Sequence, residues 1–311
     1  MIDALSKAAF GSLAGSARLK RLASRYGMRS PRSFARRFVA GESIEDAIAA
    51  ARALEAQGLS QTLDLLGESV ASEAEARAAT EAYLAMIPRI AAAGVGRNVS
   101  IKLTQLGLGL SGPLAEANLR VILERAASDG FFVRIDMENS PYVETTLTIF
   151  ERLFVSGLTN VGVVLQSALK RSDADLERVM ALGARVRLVK GAYKEPSEVA
   201  WQSKSDVDAA YVRLLDRLLR AGTFPAVATH DPDMIAAAHR IARDAAIPPD
   251  RYEFQMLYGV RRDLQAALRS QGFGVRVYIP YGREWFPYFM RRLGERPANV
   301  GFVLKSLLRE R

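Results

Sequence analysis

Residues 131–166 read FFVRIDMENSPYVETTLTIFERLFVSGLTNVGVVLQ and contain two short apolar runs separated by a longer segment. The runs, 131–137 and 161–166, are β-rich, and the second is almost entirely apolar. Such a run is typical of a strand that is buried on both faces of a sheet. Between the runs, Ser140-Pro141 indicates a helix start because proline is favoured in the first turn. The segment therefore predicts one strand–helix–strand unit.

The same alternation continues in both directions from this unit. From about Leu59 onward we count eight β-rich runs, at 62–66, 99–103, 131–137, 161–166, 186–190, 226–229, 252–257 and 275–279. Four helical segments begin with a capping-box-like pattern, a serine followed three residues later by a carboxylate, at Ser43, Ser72, Ser172 and Ser205. Glycines that favour left-handed helix ends follow several segments, at Gly58, Gly94, Gly130, Gly183 and Gly222.

Eight buried strands that alternate with capped helices predict an α/β fold, a (β/α)8 TIM-type barrel of about 250 residues. We expect an N-terminal helical segment over residues 1–58, a barrel catalytic domain over residues 59–311, and a final helix over the barrel mouth. A doubly wound sheet is the alternative. The Gly-x-Gly-x-x-Gly fingerprint that would favour it is absent after the first strand.

Composition excludes several classes of protein. The 311 residues include no cysteine, which excludes disulfides, thiolate zinc sites and a cysteine nucleophile, and which fits a reducing, cytoplasmic setting. With 49% hydrophobic residues the chain is too apolar to be disordered, and no apolar run reaches the roughly 18 residues that span a bilayer. We therefore expect a soluble globular protein.

The formal charge of +9 is concentrated at the N-terminus. Residues 1–41 contain nine basic residues and one acid, so they carry +8 and the rest of the chain carries +1. A basic arm of this kind is typical of proteins that bind nucleic acid or an anionic membrane, or of a solvated helical face. Its composition is also that of an organellar transit peptide. Because the predicted barrel is nearly neutral, this charge does not select the substrate.

Active sites of such barrels lie at the carboxyl ends of the strands, and polar residues recur there. Lys102 lies near the end of the second run, and Asp136 lies inside the third. Burying a charge in an apolar strand costs free energy unless the charge is paired or has a function. Lys102 and Asp136 therefore form either a structural ion pair or part of a functional site. At the fifth run, strand alternation places Arg187 and Lys190 on opposite faces, and Gly191 permits close approach of a ligand to the backbone.

Two further signals come from the sixth run and from the end of the chain. His230 is a general base, a ligand-orienting donor or a structural histidine. No metal site is expected, because His239, the other histidine, falls in a helix. Arg291 and Arg292 follow an aromatic cluster on a short helix. Paired arginines are usually solvated, but on a helix across the barrel mouth they would clamp a carboxylate or phosphate.

Taken in order, these strand ends resemble the family of bacterial monofunctional proline dehydrogenases, which are flavoenzymes. The matching pieces lie between about residues 98 and 302. They are Ser100-Ile-Lys-Leu103, Val133-Arg-Ile-Asp-Met-Glu138, Gly162-Val-Val-Leu-Gln166, Val186-Arg-Leu-Val-Lys-Gly-Ala-Tyr193, Ala228-Thr-His-Asp231, Phe254-Gln-Met-Leu-Tyr-Gly259 and Arg276-Val-Tyr-Ile-Pro-Tyr-Gly282, with the later Arg291-Arg-Leu-Gly-Glu295.

The resemblance implies a distorted barrel that binds FAD at its mouth. The implied reaction is oxidation of L-proline to Δ1-pyrroline-5-carboxylate by hydride transfer to flavin N5, the first step of proline catabolism to glutamate. It implies catalytic roles for Asp136 and Arg187, with Arg187 near N5. The side chains implied to contact the flavin are Met137, Gln166, Lys190, Gly191, Ala192, Thr229 and His230.

The resemblance also implies how the substrate is held. Lys102, Arg291 and Arg292 would bind the proline carboxylate, and Glu295 would steady the two arginines from the next helical turn. Leu257 and Tyr278 would pack beside the substrate ring.

Members of this family pass their electrons to a membrane quinone, which implies a cytoplasmic enzyme or one that is peripheral to the inner face of the cell membrane. We expect L-proline and a quinone as partners, no nucleic acid, and peripheral contact of the basic arm with anionic lipid. A homo-oligomer is left open. The alternatives are a nucleic-acid-binding arm on a barrel scaffold and a flavin barrel reductase of the methylenetetrahydrofolate reductase type. The reductase gives no reason for the Arg291 and Arg292 clamp.

Overall fold

The computed structural model of the chain describes Met28 and residues 33–294. Eight parallel strands form a closed barrel in chain order, and the barrel closes where β1 pairs with β8. The predicted (β/α)8 barrel is confirmed, and the doubly wound alternative is wrong. The strands are β1 (Ser60–Leu65), β2 (Asn98–Ile101), β3 (Phe132–Ile135), β4 (Val161–Gln166), β5 (Val186–Val189), β6 (Ala226–Ala228), β7 (Glu253–Leu257) and β8 (Gly274–Tyr281).

The helices of the described chain precede, connect and follow these strands. They are α1 (Ile44–Glu55), α2 (Glu73–Ala93), α3 (Gly112–Ser128), α4 (Ser140–Val155), α5 (Ser172–Ala181), α6 (Lys204–Ala221), α7 (Pro232–Asp244), α8 (Arg262–Ser270) and α9 (Trp285–Gly294). Short 3-10 helices lie at Phe34–Arg37 and Pro249–Arg251. No helix among these is both long and apolar enough to cross a bilayer.

The two ends of the described chain distort the regular barrel pattern. Helix α1 packs against β8 and β1, so it covers the place where the barrel closes. In a regular barrel the helix after the last strand would cover it. Helix α9 is instead free to lie at the barrel mouth, as predicted. The division of the chain at residues 58 and 59 stays a proposal, and it separates α1 from strands that it covers.

Hydrophobic packing is divided between a main core and a smaller cluster. The main core joins the strands to α1–α8 and includes large buried side chains such as Tyr83, Phe150 and Phe254. The smaller cluster, here called the α9 cluster, brings N-terminal residues against the last helix. Its members are Met28, Ala35, Phe38, Val39, Leu66, Trp285, Phe286, Tyr288, Phe289 and Met290.

Half of the predicted capping boxes lie at true helix starts. Ser43 and Ser72 are N-caps that accept the backbone N–H of Asp46 and Glu75. The predictions at Ser172 and Ser205 are wrong. Ser172 is the first residue of α5, because the chain is already turning at Arg171, and the cap of α6 is Ser203. Among the glycines, Gly94 is a left-handed C-cap, but Gly222 ends α6 in an extended conformation.

Candidate active site

A cavity of about 600 Å³ opens at the carboxyl ends of the strands, and α9 contributes to its wall. The strands deliver their last residues to this end of the barrel, which explains why polar side chains follow apolar runs. All fourteen site residues predicted from the sequence line this one cavity. They are Lys102, Asp136, Met137, Gln166, Arg187, Lys190, Gly191, Ala192, Thr229, His230, Leu257, Tyr278, Arg291 and Arg292. Glu295, the predicted partner of the two arginines, lies outside the described residues.

Asp136 is the centre of a buried charge cluster at the cavity floor. Its Oδ2 accepts from Lys102 Nζ at 3.2 Å and from the Tyr278 hydroxyl at 2.7 Å. Its Oδ1 accepts from Arg187 Nη1 at 2.8 Å. The structural ion pair considered for Lys102 and Asp136 therefore exists, and both residues also face the cavity.

The cluster sets the protonation states of its members. Burial opposes the charge on Asp136, but Lys102 and Arg187 outweigh burial and hold the pKa of this carboxyl below its usual value. Burial raises the pKa of Tyr278 far above its usual value, and Asp136 adds to the rise. Tyr278 therefore stays protonated and donates to an ionised carboxylate.

Asp64 belongs to the same cluster and was not among the predicted site residues. It lies on β1, is 1% exposed, and places Oδ1 3.6 Å from Lys102 Nζ. Neither of its carboxylate oxygens has a hydrogen-bond partner among the described residues. Burial raises the pKa of Asp64 to about 6, although Lys102 acts in the opposite direction. Asp64 and Asp136 together raise the pKa of Lys102 above its usual value, against the effect of burial.

Arg187 is held from several sides within the barrel. Besides Asp136, its guanidinium contacts Ser100 Oγ at 3.3 Å and donates from Nε to Gln255 Oε1 at 2.5 Å. Its guanidinium carbon lies 5.4 Å from the centre of the Tyr278 ring, within cation–π range. These contacts fix the orientation of the buried Arg187 side chain at the cavity floor.

The two arginines of α9 lie in different surroundings. Arg291 forms a bidentate ion pair with Glu68, with Nη1 and Nη2 at 3.0 and 2.6 Å from the two carboxylate oxygens. Burial alone would raise the pKa of Glu68, but its hydrogen bonds with Arg291 lower it below the usual value. Arg292 lies over the ring of Tyr288, with 5.3 Å between the guanidinium carbon and the ring centre. The alternative of a solvated arginine face does not hold, since both side chains are only partly exposed and line the cavity.

Arg187 and Lys190 have different partners, but β5 ends at Val189, so the predicted strand alternation does not extend to Lys190. Arg187 is buried in the barrel, whereas Lys190 Nζ forms ion pairs with Asp208 on α6 and with Asp231 at the start of α7, the latter at 2.6 Å. Gly191, next along the chain, has φ +120°, where a side chain would be strained. A Cβ there would also lie 3.2 Å from Gln166 Oε1. The backbone at Gly191 therefore lies open to close contact with a ligand in the cavity.

His230 links the ends of β6 and β7. Its Nε2 accepts the backbone N–H of Leu257 at 2.9 Å. A ring nitrogen that accepts such a bond carries no proton, so the proton of the neutral imidazole is on Nδ1. Because Nε2 is occupied by a backbone donor, the general-base interpretation loses that nitrogen, and the contact orients Leu257 at the cavity wall.

Asp64 and Glu68 could have been found by rules already applied to other strands. Asp64 is a charge inside the first apolar run, just as Asp136 is inside the third. Glu68 follows the same run, at the end of the strand where active-site residues of such barrels lie. Gln255 lies in the middle of β7, and its contact with Arg187 joins residues 68 positions apart, which the sequence alone does not reveal.

No group of three or more metal-ligating side chains occurs in the part of the chain that the structure describes.

The family model for proline dehydrogenase matches residues 47–305 of the sequence, which includes every residue of the cavity. The chain belongs to the proline dehydrogenase family. The resemblance seen in the strand-end motifs is thereby confirmed, and so is the expected enzyme class, proline dehydrogenase.

Similar proteins of nearly the same length support this assignment. Proline dehydrogenase 1 of Bacillus subtilis (strain 168) is 43% identical over 292 residues, covering 94% of this chain and 95% of that protein. Proline dehydrogenase of Deinococcus radiodurans is 44% identical over 281 residues, covering 89% and 91%.

A solved structure with the same fold belongs to a much longer protein. Proline utilization A (PutA) from Bdellovibrio bacteriovorus, inactivated by N-propargylglycine, superposes with a TM-score of 0.79 and 26% identity. The match covers 84% of this chain and 32% of that one. The chain is thus similar to one part of PutA.

Proposed function

We propose that this proline dehydrogenase oxidises L-proline to Δ1-pyrroline-5-carboxylate with FAD bound in the cavity. The observation that carries the proposal is the convergence of Lys102, Asp136, Arg187, Arg291 and Arg292 on one cavity in a chain of this family. Lys102 and Asp136 directly follow β2 and β3, and Arg187 lies within β5. The other two arginines lie on α9, so only the complete fold assembles the group.

The balance of charge favours an anionic substrate group. Around the floor and the α9 side lie four cations, Lys102, Arg187, Arg291 and Arg292, against three carboxylates, Asp64, Asp136 and Glu68. These described residues have a net charge of +1, which the carboxylate of a bound substrate would neutralise. Guanidinium and ammonium groups suit a carboxylate, and a clamp of this kind fixes which ring carbon faces the hydride acceptor.

The remaining wall fits the ring of the substrate. Leu257 supplies apolar surface, and its position is held by the bond from its backbone N–H to His230. The Tyr278 ring is held by its hydroxyl bond to Asp136. Substrate orientation would therefore rest on side chains that are fixed before binding.

Asp136 is better suited to hold these groups than to accept a proton. It is ionised, and three donors from Lys102, Arg187 and Tyr278 occupy its oxygens. The cluster therefore orients a cationic floor, and we expect proline to lose its amine proton to solvent or to another group before reacting.

The cavity fits a large planar cofactor. Its volume of about 600 Å³ is well above the need of one amino acid and lies within the range of about 300–1,000 Å³ usual for ligand pockets. Apolar side chains from four adjacent strand ends, Val164, Val189, Ala228 and Met256, offer a surface for a ring system. Bound FAD would supply the hydride acceptor, which no amino acid side chain can provide. The residues that would hold it are Met137, Gln166, Lys190, Gly191, Ala192, Thr229 and His230.

Anaerobic titration tests this function directly. The purified protein, supplied with FAD, should be yellow and should bleach when L-proline is added. NADH should not bleach it, which separates this reaction from that of the methylenetetrahydrofolate reductase type. A colourless protein that stays inert with added FAD and proline would contradict the proposal.

We further propose that the electrons pass to a quinone at the membrane surface and that the enzyme is cytoplasmic or peripheral to that membrane. The family resemblance supports both statements. Reoxidation of the proline-reduced enzyme by a water-soluble quinone, faster than by oxygen, is the expected result. Equal rates with both acceptors would speak against a quinone.

A further inference from the structure

A line of hydrogen bonds runs through the barrel interior from Arg187 toward the opposite end. Arg187 Nε donates to Gln255 Oε1, and Gln255 Nε2 donates to Glu253 Oε1, both at 2.5 Å. Glu253 Oε1 also accepts from Arg276 Nε at 2.8 Å, and Arg276 Nη1 donates to the carbonyl of Gln61 at 2.8 Å. We call Gln255, Glu253 and Arg276 the relay.

The relay permits one orientation of the Gln255 amide. A flipped amide would turn its NH₂ toward the guanidinium of Arg187 and its oxygen toward the carboxylate of Glu253, so both bonds would be lost. Gln255 and Glu253 are each less than a tenth exposed, so water would not replace these bonds easily. The Arg276 side chain balances the charge of Glu253, with Nε 2.8 Å from its Oε1.

We propose that Gln255 is a positioning residue that fixes the guanidinium of Arg187, and that Glu253 and Arg276 hold Gln255 in that role. The inference rests on the proposed function, in which Arg187 is a catalytic residue beside the flavin. An arginine has several rotatable bonds, and Asp136 and Ser100 accept only from Nη1 and Nη2, at the outer end of the guanidinium. The bond from Nε to Gln255 fixes the inner edge, so the plane of the group is defined before any ligand binds.

A neutral amide also preserves the charge of Arg187 at the cavity. A carboxylate at position 255 would place a second anion on Arg187 in addition to Asp136 and would weaken its effect on an anionic reduced flavin. In the structure, the negative charge lies one step further away, on Glu253, where Arg276 neutralises it.

The first experiment compares Gln255→Met with wild type, both loaded with FAD. We expect flavin reduction at saturating proline to fall about tenfold or more, as for loss of a hydrogen bond to a charged group. We also expect a more negative flavin midpoint potential and, in a crystal structure, a displaced Arg187. Gln265→Met is the matched control. Gln265 is a buried amide that donates to the carbonyls of Leu257 and Val260. The Gln265→Met variant should be less stable than wild type but should have the same flavin midpoint potential.

A second experiment separates hydrogen bonding from charge. Gln255→Glu alone sets two carboxylates side by side and should impair flavin reduction. The exchange Glu253→Gln with Gln255→Glu again offers an oxygen acceptor to Arg187 Nε and to Arg276 Nε, and it reverses the bond between residues 253 and 255. It should recover part of the lost rate, with a potential more negative than that of wild type.

The outcomes distinguish this inference from the proposed function. If wild type bleaches with proline while Gln255→Met keeps its reduction rate, its potential and the position of Arg187, the relay is wrong and the function stands. If wild type neither binds FAD nor responds to proline, the proposed function fails. The position of Arg187 in the Gln255→Met crystal structure then still decides whether Gln255 fixes it.

Discussion

Among single residues, Asp64 is a carboxylate whose negative charge is destabilised by burial. Its pKa of about 6 allows the effect on the free energy of unfolding to be measured near neutral pH. This pKa is raised above its usual value. Between about pH 4 and 6, Asp64 is therefore still protonated in the folded protein but already ionised in the unfolded chain. Stability from this group is full below about pH 4 and is lost as the pH rises through about 6. The loss is about 3 kcal/mol.

We expect Asp64→Asn to remove the pH dependence of stability that comes from this carboxyl group. Chemical denaturation between pH 4 and 7 measures the unfolding free energy of both proteins. As the pH rises, wild type should lose stability relative to the variant. A difference that is constant over this range would contradict the raised pKa. Because the two chains differ at one site, the titration of groups far from Asp64 cancels in this comparison.

Arg291 and Arg292 give the second prediction at this scale. Replacing either with Met should raise the proline KM about 10- to 100-fold, because a charged hydrogen bond to the substrate is lost. Bound flavin should remain, as its visible absorbance would show. Arg283→Met is a suitable control, since Arg283 is exposed and does not line the cavity. Loss of FAD, or unchanged proline kinetics, would show that these arginines do not bind the substrate.

The sequence could predict which residues surround the cavity and could suggest the Lys102–Asp136 pair, but it could not predict their other contacts. A charge at the end of an apolar run or within one is a local signal, so Lys102, Asp136 and Arg187 could be found one at a time. Their contacts depend on barrel closure, which brings Tyr278 of β8 to Asp136 after β3. The pairing of Arg291 with Glu68 joins residues 223 positions apart, and no local pattern indicates it.

At the scale of elements, helix α9 depends on the N-terminal segment. The Phe38 ring lies 6.3 Å from that of Phe289, and Trp285 Nε1 donates to Glu42 Oε1 at 3.0 Å. Gly282 N–H donates to the Gly41 carbonyl, which ties the same segment to the end of β8. Residues before the barrel therefore hold the helix that carries Arg291 and Arg292.

We expect Phe38→Ala to raise the proline KM by loosening α9. Phe150→Ala is the control, because Phe150 is fully buried in the main core on α4, which does not line the cavity. Both changes should lower stability by about 3 kcal/mol or more. Thermal unfolding together with proline kinetics checks this. If both variants change KM equally, α9 does not depend on Phe38.

Element boundaries illustrate why local rules succeed only in part. The runs predicted at 161–166 and 226–229 match β4 and β6 within one residue, since burial on both faces leaves a clear apolar signal. The caps at Ser172 and Ser205 are displaced because several nearby serines and carboxylates fit the same pattern. In α6 the cap is Ser203, whose side chain accepts the backbone N–H of Asp206 at 3.0 Å.

For the whole molecule, the open proposal is that the basic arm within residues 1–41 attracts anionic lipid. Deleting residues 1–38 would test it poorly, because that deletion also removes Phe38 from the α9 cluster. A better variant replaces Arg18, Lys20, Arg21 and Arg25 with Gln, which removes four positive charges and leaves residues 33–42 intact. Most of the arm lies outside the described residues, so this test rests on charge alone.

Each basic residue near an anionic surface contributes about 1 kcal/mol, so the four substitutions should abolish most binding to such vesicles. Sedimentation with vesicles of mixed anionic and neutral phospholipid measures this, and vesicles of neutral phospholipid alone are the control. Binding of wild type should weaken as salt screens the charges. Proline-dependent reduction of a soluble quinone should be the same in both proteins. Equal vesicle binding by wild type and variant would refute the membrane role, and salt-sensitive binding of wild type to DNA but not to vesicles would assign the arm to nucleic acid instead.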